Sequence, residues 1–174
     1  MRGVDVAAGA AAIALAASVG IAPQAHAQDF GISLNGTYRV LSDGEWAKKG
    51  AAPGGGEVFY DQQTVVETWN VSTSCVSPIE CTGTVTSDRG YTASIRLDDF
   101  WYVDHDIPNW LPCPNGTFAP GHQKFILWGF DPARNERIKT TEFLAGRNIT
   151  KSPSGACGRN QPLVIEMPVR MERA

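Results

Sequence analysis

After residue 35, short runs of alternating apolar and polar residues recur along the chain, separated by glycine, proline and aspartate. The clearest run is 163–172, where every second position from Leu163 to Met171 is apolar and the positions between include Glu166 and Arg170. This alternation predicts a half-buried β-strand, because successive side chains of a strand point to opposite faces. No helical period is sustained for three turns, so the pattern indicates β-structure throughout.

Several other segments have a similar β-rich pattern. In one of them, Trp69 and Val71 share a face with Glu67, so we expect that this acid lies near a rim or is buried with a partner. Continuous apolarity from Phe125 to Trp128 predicts a strand that is covered on both faces or meets a partner. Together with 163–172, the predicted strands are residues 36–41, 58–72, 82–87, 91–97, 100–103, 122–130 and 137–144.

About eight short strands joined mainly by short turns predict an all-β domain. We expect an antiparallel meander that forms a small barrel or sandwich, and we favour the barrel. Pro168 cannot donate a ladder hydrogen bond, so the last strand is expected to have a free side or a bulge there. Two segments are predicted to be loops, the Gly/Ala/Pro tract 48–56 and the proline-rich stretch 104–121.

The N-terminus predicts export. Arg2 precedes an Ala-rich apolar stretch that ends in the A-x-A signal Ala25-His26-Ala27, which is typical of a cleavable secretory signal peptide. The apolar stretch is shorter than the roughly 20 residues that span a bilayer. We therefore predict cleavage between Ala27 and Gln28, a signal peptide of residues 1–27, and a single domain of residues 28–174 with no transmembrane segment.

The charge of the chain argues against two classes of partner. The formal net charge is −3 and the sequence pI is about 5.6. A mildly acidic chain offers no basic surface for nucleic acid or for an anionic membrane. We therefore expect neither as a partner.

The four cysteines all follow the predicted cleavage site, and an even number in an exported domain predicts two disulfides. We favour Cys75 with Cys81, which bracket a short proline-containing loop, and Cys113 with Cys157, which lie in two turn-like segments. The spacing does not match a zinc site, because no C-x-x-C pair is present. No metal and no cofactor are expected.

Titratable residues give only a weak indication of catalysis. Asp98, Asp99 and residues 104–106 (Asp-His-Asp) are the one cluster of candidate ligands, and their spacing does not match a calcium loop, so we expect a solvated loop. No nucleophile motif accompanies His105. The alternative to a non-catalytic domain is a hydrolase of envelope material, in which Glu67, Asp99, Asp104 or His105 is the acid or base and these groups converge in one cleft.

Aromatic residues are the basis of the first functional hypothesis, a non-catalytic binding domain. Most are expected to fill the core, since a small barrel needs few large rings. The alternative is an apolar cavity or exposed patch around Trp101, Trp110 and Trp128. Trp110 lies in the proline-rich stretch, where it is expected either to anchor a partner or to close the barrel.

Residues 67–75 (ETWNVSTSC) and 81–87 (CTGTVTS), together with the turns around Cys113 and Cys157, resemble small exported proteins of mycobacteria and related actinobacteria. They also resemble extracellular modules of some actinobacterial membrane kinases. The likeness covers most of the chain after residue 27. It implies a disulfide scaffold in an uncharacterised exported protein, and it transfers no functional residues. A kinase domain is absent from this sequence.

These observations favour an exported protein, secreted or held in the cell envelope, that binds a partner without catalysing a reaction. The expected partner is a protein or an apolar envelope molecule at an aromatic-lined end of the barrel. A stable surface protein without a small ligand is the remaining alternative, and the sequence does not distinguish it from a binding domain.

Overall fold

The computed structural model describes residues 30–50 and 58–174. The predicted signal peptide, residues 28–29 and residues 51–57, which include most of the predicted loop 48–56, lie outside the described residues. The strands are β1 (Gly36–Ser42), β2 (Lys48–Lys49), β3 (Val58–Phe59), β4 (Val65–Ser77), β5 (Glu80–Ser87), β6 (Thr92–Asp98), β7 (Phe100–Pro112), β8 (Phe118–Asp131), β9 (Glu136–Arg137), β10 (Phe143–Lys151) and β11 (Val164–Arg173).

Eight of these strands form a closed antiparallel barrel. The order β1-β4-β5-β6-β7-β8-β10-β11 is completed by pairing of β11 with β1, in which Val40 lies opposite Met171. The short strands β2, β3 and β9 are additions to this barrel. The prediction of an all-β barrel is confirmed, and the barrel excludes the sandwich alternative. Within residues 30–50 and 58–174, the one helical turn is a 3-10 turn at Ala156–Gly158.

Pro168 lies at the one irregular place in the closure. β1 pairs with β11 only as far as Val169, and β2 pairs with it from Glu166. Within the described chain, no strand therefore pairs with Pro168 on that side, although Asp43 N–H donates to its carbonyl oxygen (2.9 Å). The missing N–H of the proline costs no ladder hydrogen bond at this position.

Side chains fill the barrel interior, as expected for eight strands. Trp69 and Phe125 are fully buried near its centre, with their rings edge to face at 4.8 Å between centroids. The other large buried side chains are Tyr38, Leu34, Ile95, Leu127, Leu144, Met171, Val40, Val85 and Val103.

The prediction of a long loop over residues 104–121 is wrong. β7 continues to Pro112, β8 begins at Phe118, and a short turn joins them, in which Gly116 N–H donates to Cys113 O (3.0 Å). The prolines are tolerated because the β7–β8 register is irregular between Ile107 and Leu111, so that Pro108 needs no ladder hydrogen bond.

The prediction of a strand over residues 137–144 is also wrong in position. β9 covers two residues, and the long strand that follows is β10. Its inward positions include Gly146 and Asn148, which do not give an apolar alternation. A side chain at Gly146 would place its Cβ 2.2 Å from the carbonyl oxygen of Ile126, so close packing of the backbone determines this residue.

Both disulfides have the predicted pairing, and we name them by the loops they close. The short-loop disulfide joins Cys75 and Cys81 across the β4–β5 hairpin, and the long-loop disulfide joins Cys113 and Cys157. In the described part of the chain, no helix is long and apolar enough to cross a membrane.

Candidate functional site

One end of the barrel carries a cleft of about 560 Å³, which we call the barrel-end cleft. Its floor consists of inward-facing apolar side chains at the ends of their strands, together with one residue of the segment that precedes β1. Its entrance is formed by the β4–β5 hairpin and by the segment after β9. The floor residues are Ile32, Leu97, Trp101 and Leu127, and the entrance residues are Pro78, Ile79, Ile138 and Thr140.

The β4–β5 hairpin projects over this end of the barrel and carries exposed apolar residues. The short-loop disulfide pins the hairpin, with Cys75 and Cys81 buried in the core. Beyond it, Val76 is 75% exposed and Ile79 is 72% exposed. Ile79 lines the barrel-end cleft and Val76 does not. Apolar residues so exposed at a cleft entrance are typical of a ligand or partner surface.

A glycine in β8 allows the opposite side of the cleft to approach closely. The carbonyl oxygen of Gly129 accepts a hydrogen bond from Ile138 N–H (3.0 Å), which holds the segment after β9 against the barrel. A Cβ at Gly129 would lie 2.3 Å from the carbonyl oxygen of Ile138. The absence of a side chain at this position therefore shapes this side of the cleft.

Two aromatic rings and an arginine form a wall of the cleft. Phe100 and Trp128 pack edge to face at 5.8 Å between ring centroids. The Arg137 guanidinium lies 4.9 Å from the Phe100 centroid and 4.6 Å from the Trp128 centroid. Cation–π contacts with both rings hold the guanidinium at the rim. We call these three residues the aromatic wall.

The charged residues that line the cleft are Arg137, Lys139 and Asp99. Asp99 lies in the tight turn between β6 and β7, with a φ of 60°. Two cations and one carboxylate give the rim a net positive charge, although the chain as a whole is acidic.

The three tryptophans of the predicted patch do not all meet. Trp101, which is 5% exposed, belongs to the floor, and Trp128 belongs to the aromatic wall. Trp110 instead packs against a small separate cluster that contains Ile165 and Met167. It helps to cover that part of the barrel and does not line the barrel-end cleft.

At the other end of the interior, buried Glu67 accepts three hydrogen bonds on one oxygen. Trp69 Nε1 (3.1 Å), Ser87 Oγ (2.7 Å) and Tyr91 Oη (2.7 Å) all donate to its Oε2. Of the two placements expected for this acid, the structure has the buried one with partners. Burial, and next the adjacent Glu67 charge, raise the pKa of the Tyr91 phenol, which keeps it protonated and donating.

His105 belongs to the same interior group. Its ring stacks on Tyr91 at 3.8 Å between centroids, and its Nδ1 lies 3.3 Å from Gln123 Oε1. The neighbouring Asp104 lies instead on the outer face, where its Oδ1 is 3.4 Å from His122 Nε2.

The candidate acids and bases of a hydrolase therefore do not converge. Glu67 and His105 are linked through Tyr91 inside the barrel, Asp104 is on the outer face, and Asp99 lines the barrel-end cleft. Residues 104–106 form part of β7, so the expected solvated loop is wrong. Across residues 30–50 and 58–174, no group of three or more His, Cys, Asp or Glu side chains is placed to hold a metal ion.

A second depression, of about 640 Å³, adjoins the long-loop disulfide. Its lining comes mainly from turns, and its one large apolar side chain is Phe118. No charged residue lines it. It lacks the combination of apolar walls and a few polar groups that is typical of ligand sites, and the barrel-end cleft has that combination.

Sequence reasoning found the tryptophans of the cleft and missed its other main components. Arg137 carried no recognisable signal, because its place in the cleft depends on tertiary packing, and Ile79 carried a weak one. The one available signal was the pair of exposed β-branched residues around Pro78, inside the loop closed by two cysteines.

No family model matches the chain, and no curated protein matches it. Among solved structures, the chain is similar to one described as the monomer form of the M. tuberculosis PknI sensor domain. The TM-score is 0.53 and the sequence identity is 18%, over 82% of this chain and 88% of that one. The likeness shows that this chain and that sensor domain share a fold.

Proposed function

We propose that this chain is an exported, non-catalytic binding domain that holds an apolar molecule of the cell envelope in the barrel-end cleft. The observation that carries the proposal is the cleft itself, in which Trp101, Trp128 and Leu127 meet exposed apolar residues of two hairpins. Its volume of about 560 Å³ is within the roughly 300–1,000 Å³ typical of small-molecule sites.

Two further observations support a location outside the cytoplasm. The N-terminal pattern is that of a signal peptide, and both cysteine pairs are joined in disulfides, which persist in oxidising compartments. The fold shared with a protein described as a sensor domain supports binding as the role of this domain. Fold likeness alone does not transfer a ligand.

The first test is native mass spectrometry of the protein purified after export from its own host. We expect the mass of a chain that begins at Gln28, lowered by four hydrogens for two disulfides, with a lipid-sized adduct. The second test is titration with the neutral apolar dye Nile red, followed by its fluorescence, in three proteins: the unsubstituted chain, Ile79→Ser and Val76→Ser.

The two variants are a matched pair, because both residues lie in the same disulfide-closed hairpin and are similarly exposed. Ile79→Ser is expected to weaken dye binding about fivefold, since covering roughly half of an isoleucine side chain contributes about 1 kcal/mol. Val76→Ser is expected to leave it unchanged. Equal effects of the two substitutions, or no dye binding at all, would contradict the proposed site.

A further inference from the structure

We infer that the ligand of the barrel-end cleft is a long-chain carboxylate, whose alkyl chain lies on the apolar floor and whose carboxylate binds the Arg137 guanidinium. This inference rests on the proposed function and specifies the chemistry of the ligand. Two observations on Arg137 carry the inference: its guanidinium lies at the rim of the cleft, and no carboxylate of the described residues pairs with it.

The Arg137 guanidinium is held in position and is available to bind an anion. Phe100 and Trp128 hold its guanidinium at 4.9 and 4.6 Å from their centroids, which limits the rotation of the side chain. Within the described residues, no carboxylate forms an ion pair with it. The planar donor fork of a guanidinium matches the two oxygens of a carboxylate, so a bound head group would supply the partner that the protein does not.

Arg134, in the same β8–β9 hairpin, shows the contrast. Its Nε lies 3.7 Å from Asp131 Oδ2 and its Nη1 lies 3.6 Å from Glu136 Oε1. It therefore already has two carboxylate partners and does not line the cleft. The two arginines are three residues apart and differ in whether a carboxylate of the protein pairs with them. Arg134 is therefore the control for Arg137.

The charge of the rim indicates a singly charged head group. Among the described residues that line the cleft, Arg137 and Lys139 are the cations and Asp99 is the one carboxylate. One net positive charge balances a carboxylate and leaves the second charge of a phosphate monoester without a partner. A cationic head group would face two cations of the rim.

The remainder of the cleft indicates an alkyl chain. The floor residues Leu97, Trp101 and Leu127 are apolar and belong to three neighbouring strands, and they lie next to the charged rim. A ligand that uses both regions must have a charged end and an apolar body. Each methylene that leaves water for this floor would tighten binding about fourfold.

The test compares three probes of equal chain length, namely tetradecanoate, 1-tetradecanol and tetradecyl phosphate. Binding is measured by competition with Nile red, below the concentration at which each probe forms micelles or separates from water. We expect tetradecanoate to bind about tenfold more tightly than the alcohol, because a hydrogen bond to a charged group is worth about that factor. Arg137→Gln should reduce this ratio to about two or less, and Arg134→Gln should leave it unchanged.

Asp99→Asn provides an independent test that keeps Arg137 in place, and asparagine tolerates the positive φ at this position. Removal of this carboxylate should tighten tetradecanoate binding about threefold and leave alcohol binding unchanged. Equal affinity for acid and alcohol, tighter binding of the phosphate than of the acid, or an unchanged ratio in Arg137→Gln would overturn the inference and leave the proposed function standing. No binding of any of the three probes or of Nile red would overturn both.

Discussion

The hydrogen bond from Tyr91 to Glu67 allows a prediction that links stability to pH. Tyr91→Phe removes one hydroxyl and keeps the ring, which still stacks on His105. The lost bond is short, 2.7 Å from Tyr91 Oη to Glu67 Oε2. Glu67 keeps the donors of Trp69 and Ser87, so the carboxylate stays partnered and only one interaction is lost.

The expected loss follows from the kind of bond. A hydrogen bond to a charged group contributes about 1.5–3 kcal/mol to stability, and the lower end applies because Tyr91 is only half-buried. For a domain of this size, about 1.5–2 kcal/mol corresponds to a fall in Tm of roughly 3–8 °C. Tyr102→Phe is the control, since Tyr102 lies on the outer face, and it should change the free energy of unfolding by less than about 0.5 kcal/mol.

The difference between the unsubstituted chain and Tyr91→Phe should depend on pH. Burial and then Glu67 raise the pKa of Tyr91 in the folded state, so the unfolded chain, with a tyrosine pKa of about 10, loses this proton first as pH rises. The stabilisation by Tyr91 is complete below about pH 10 and declines above it by up to about 1.4 kcal/mol per pH unit. The pKa of Tyr38 is also raised, chiefly by burial, but Tyr38 is present in both proteins and cancels in the comparison.

The assay is urea unfolding followed by tryptophan fluorescence at about pH 8 and about pH 10.5, on either side of the ordinary tyrosine pKa. We expect the gap in unfolding free energy between the two proteins to be largest at the lower pH and clearly smaller at the higher. If Tyr91→Phe is as stable as the unsubstituted chain at pH 8, the bond to Glu67 does not stabilise the fold. If the difference in unfolding free energy is equal at both pH values, the inference that the fold raises the pKa of Tyr91 is wrong.

Two other predictions test the construction of the cleft and of the scaffold. Gly129→Ala should weaken Nile red binding about fivefold or more with an unchanged far-ultraviolet circular dichroism spectrum, because the new Cβ displaces Ile138; unchanged binding would show that this side does not shape the cleft. Replacing both cysteines of the long-loop disulfide by alanine should lower the free energy of unfolding by about 4 kcal/mol, against about 2.4 kcal/mol for the short-loop disulfide. Their sequence separations are 44 and 6, and urea unfolding that gives the reverse order would contradict this reasoning.

The sequence was sufficient to predict the fold class and the covalent scaffold. Alternation in β11 and in β4 is a direct consequence of one buried face, and the even cysteine count in a chain that we predict to be exported indicated two disulfides. The barrel followed from the number of strands and the short turns between them. Glu67 was also recognisable as an exception on an apolar face, although its three donors come from residues up to 24 positions away.

The errors have a common physical origin. Pro108 and Pro120 made β7 and β8 look like a loop, because a proline is costly in a strand only where its N–H is needed, and register is a tertiary property. The strand that corresponds to β10 was predicted too early in the chain, because Gly146 and Asn148 face inward and interrupt the apolar alternation. At such positions the space left by neighbouring strands selects the residue, and no local pattern reports that space.

The same limit applies to the site. Trp101 and Trp128 were selected as aromatic residues in predicted strands and Trp110 as one in a predicted loop, but Trp110 packs elsewhere. Trp101 and Trp128 differ from Trp110 because their parts of the strands meet at the end of the barrel that carries the cleft. Arg137 becomes recognisable as an anion-binding residue only when its lack of a carboxylate partner in the described structure is compared with the two partners of Arg134.

The filled interior also constrains how this domain can bind. In an eight-stranded barrel the interior is just wide enough for side chains, and here Trp69 and Phe125 occupy its centre. Glu67 and its donors fix the far end, so a ligand cannot enter the barrel along its axis without breaking buried hydrogen bonds. The proposed ligand is therefore expected to lie at the rim, partly in water, with its charged group beside Arg137 and its apolar part on the floor. Partial burial of the proposed ligand is expected to give moderate affinity and rapid exchange.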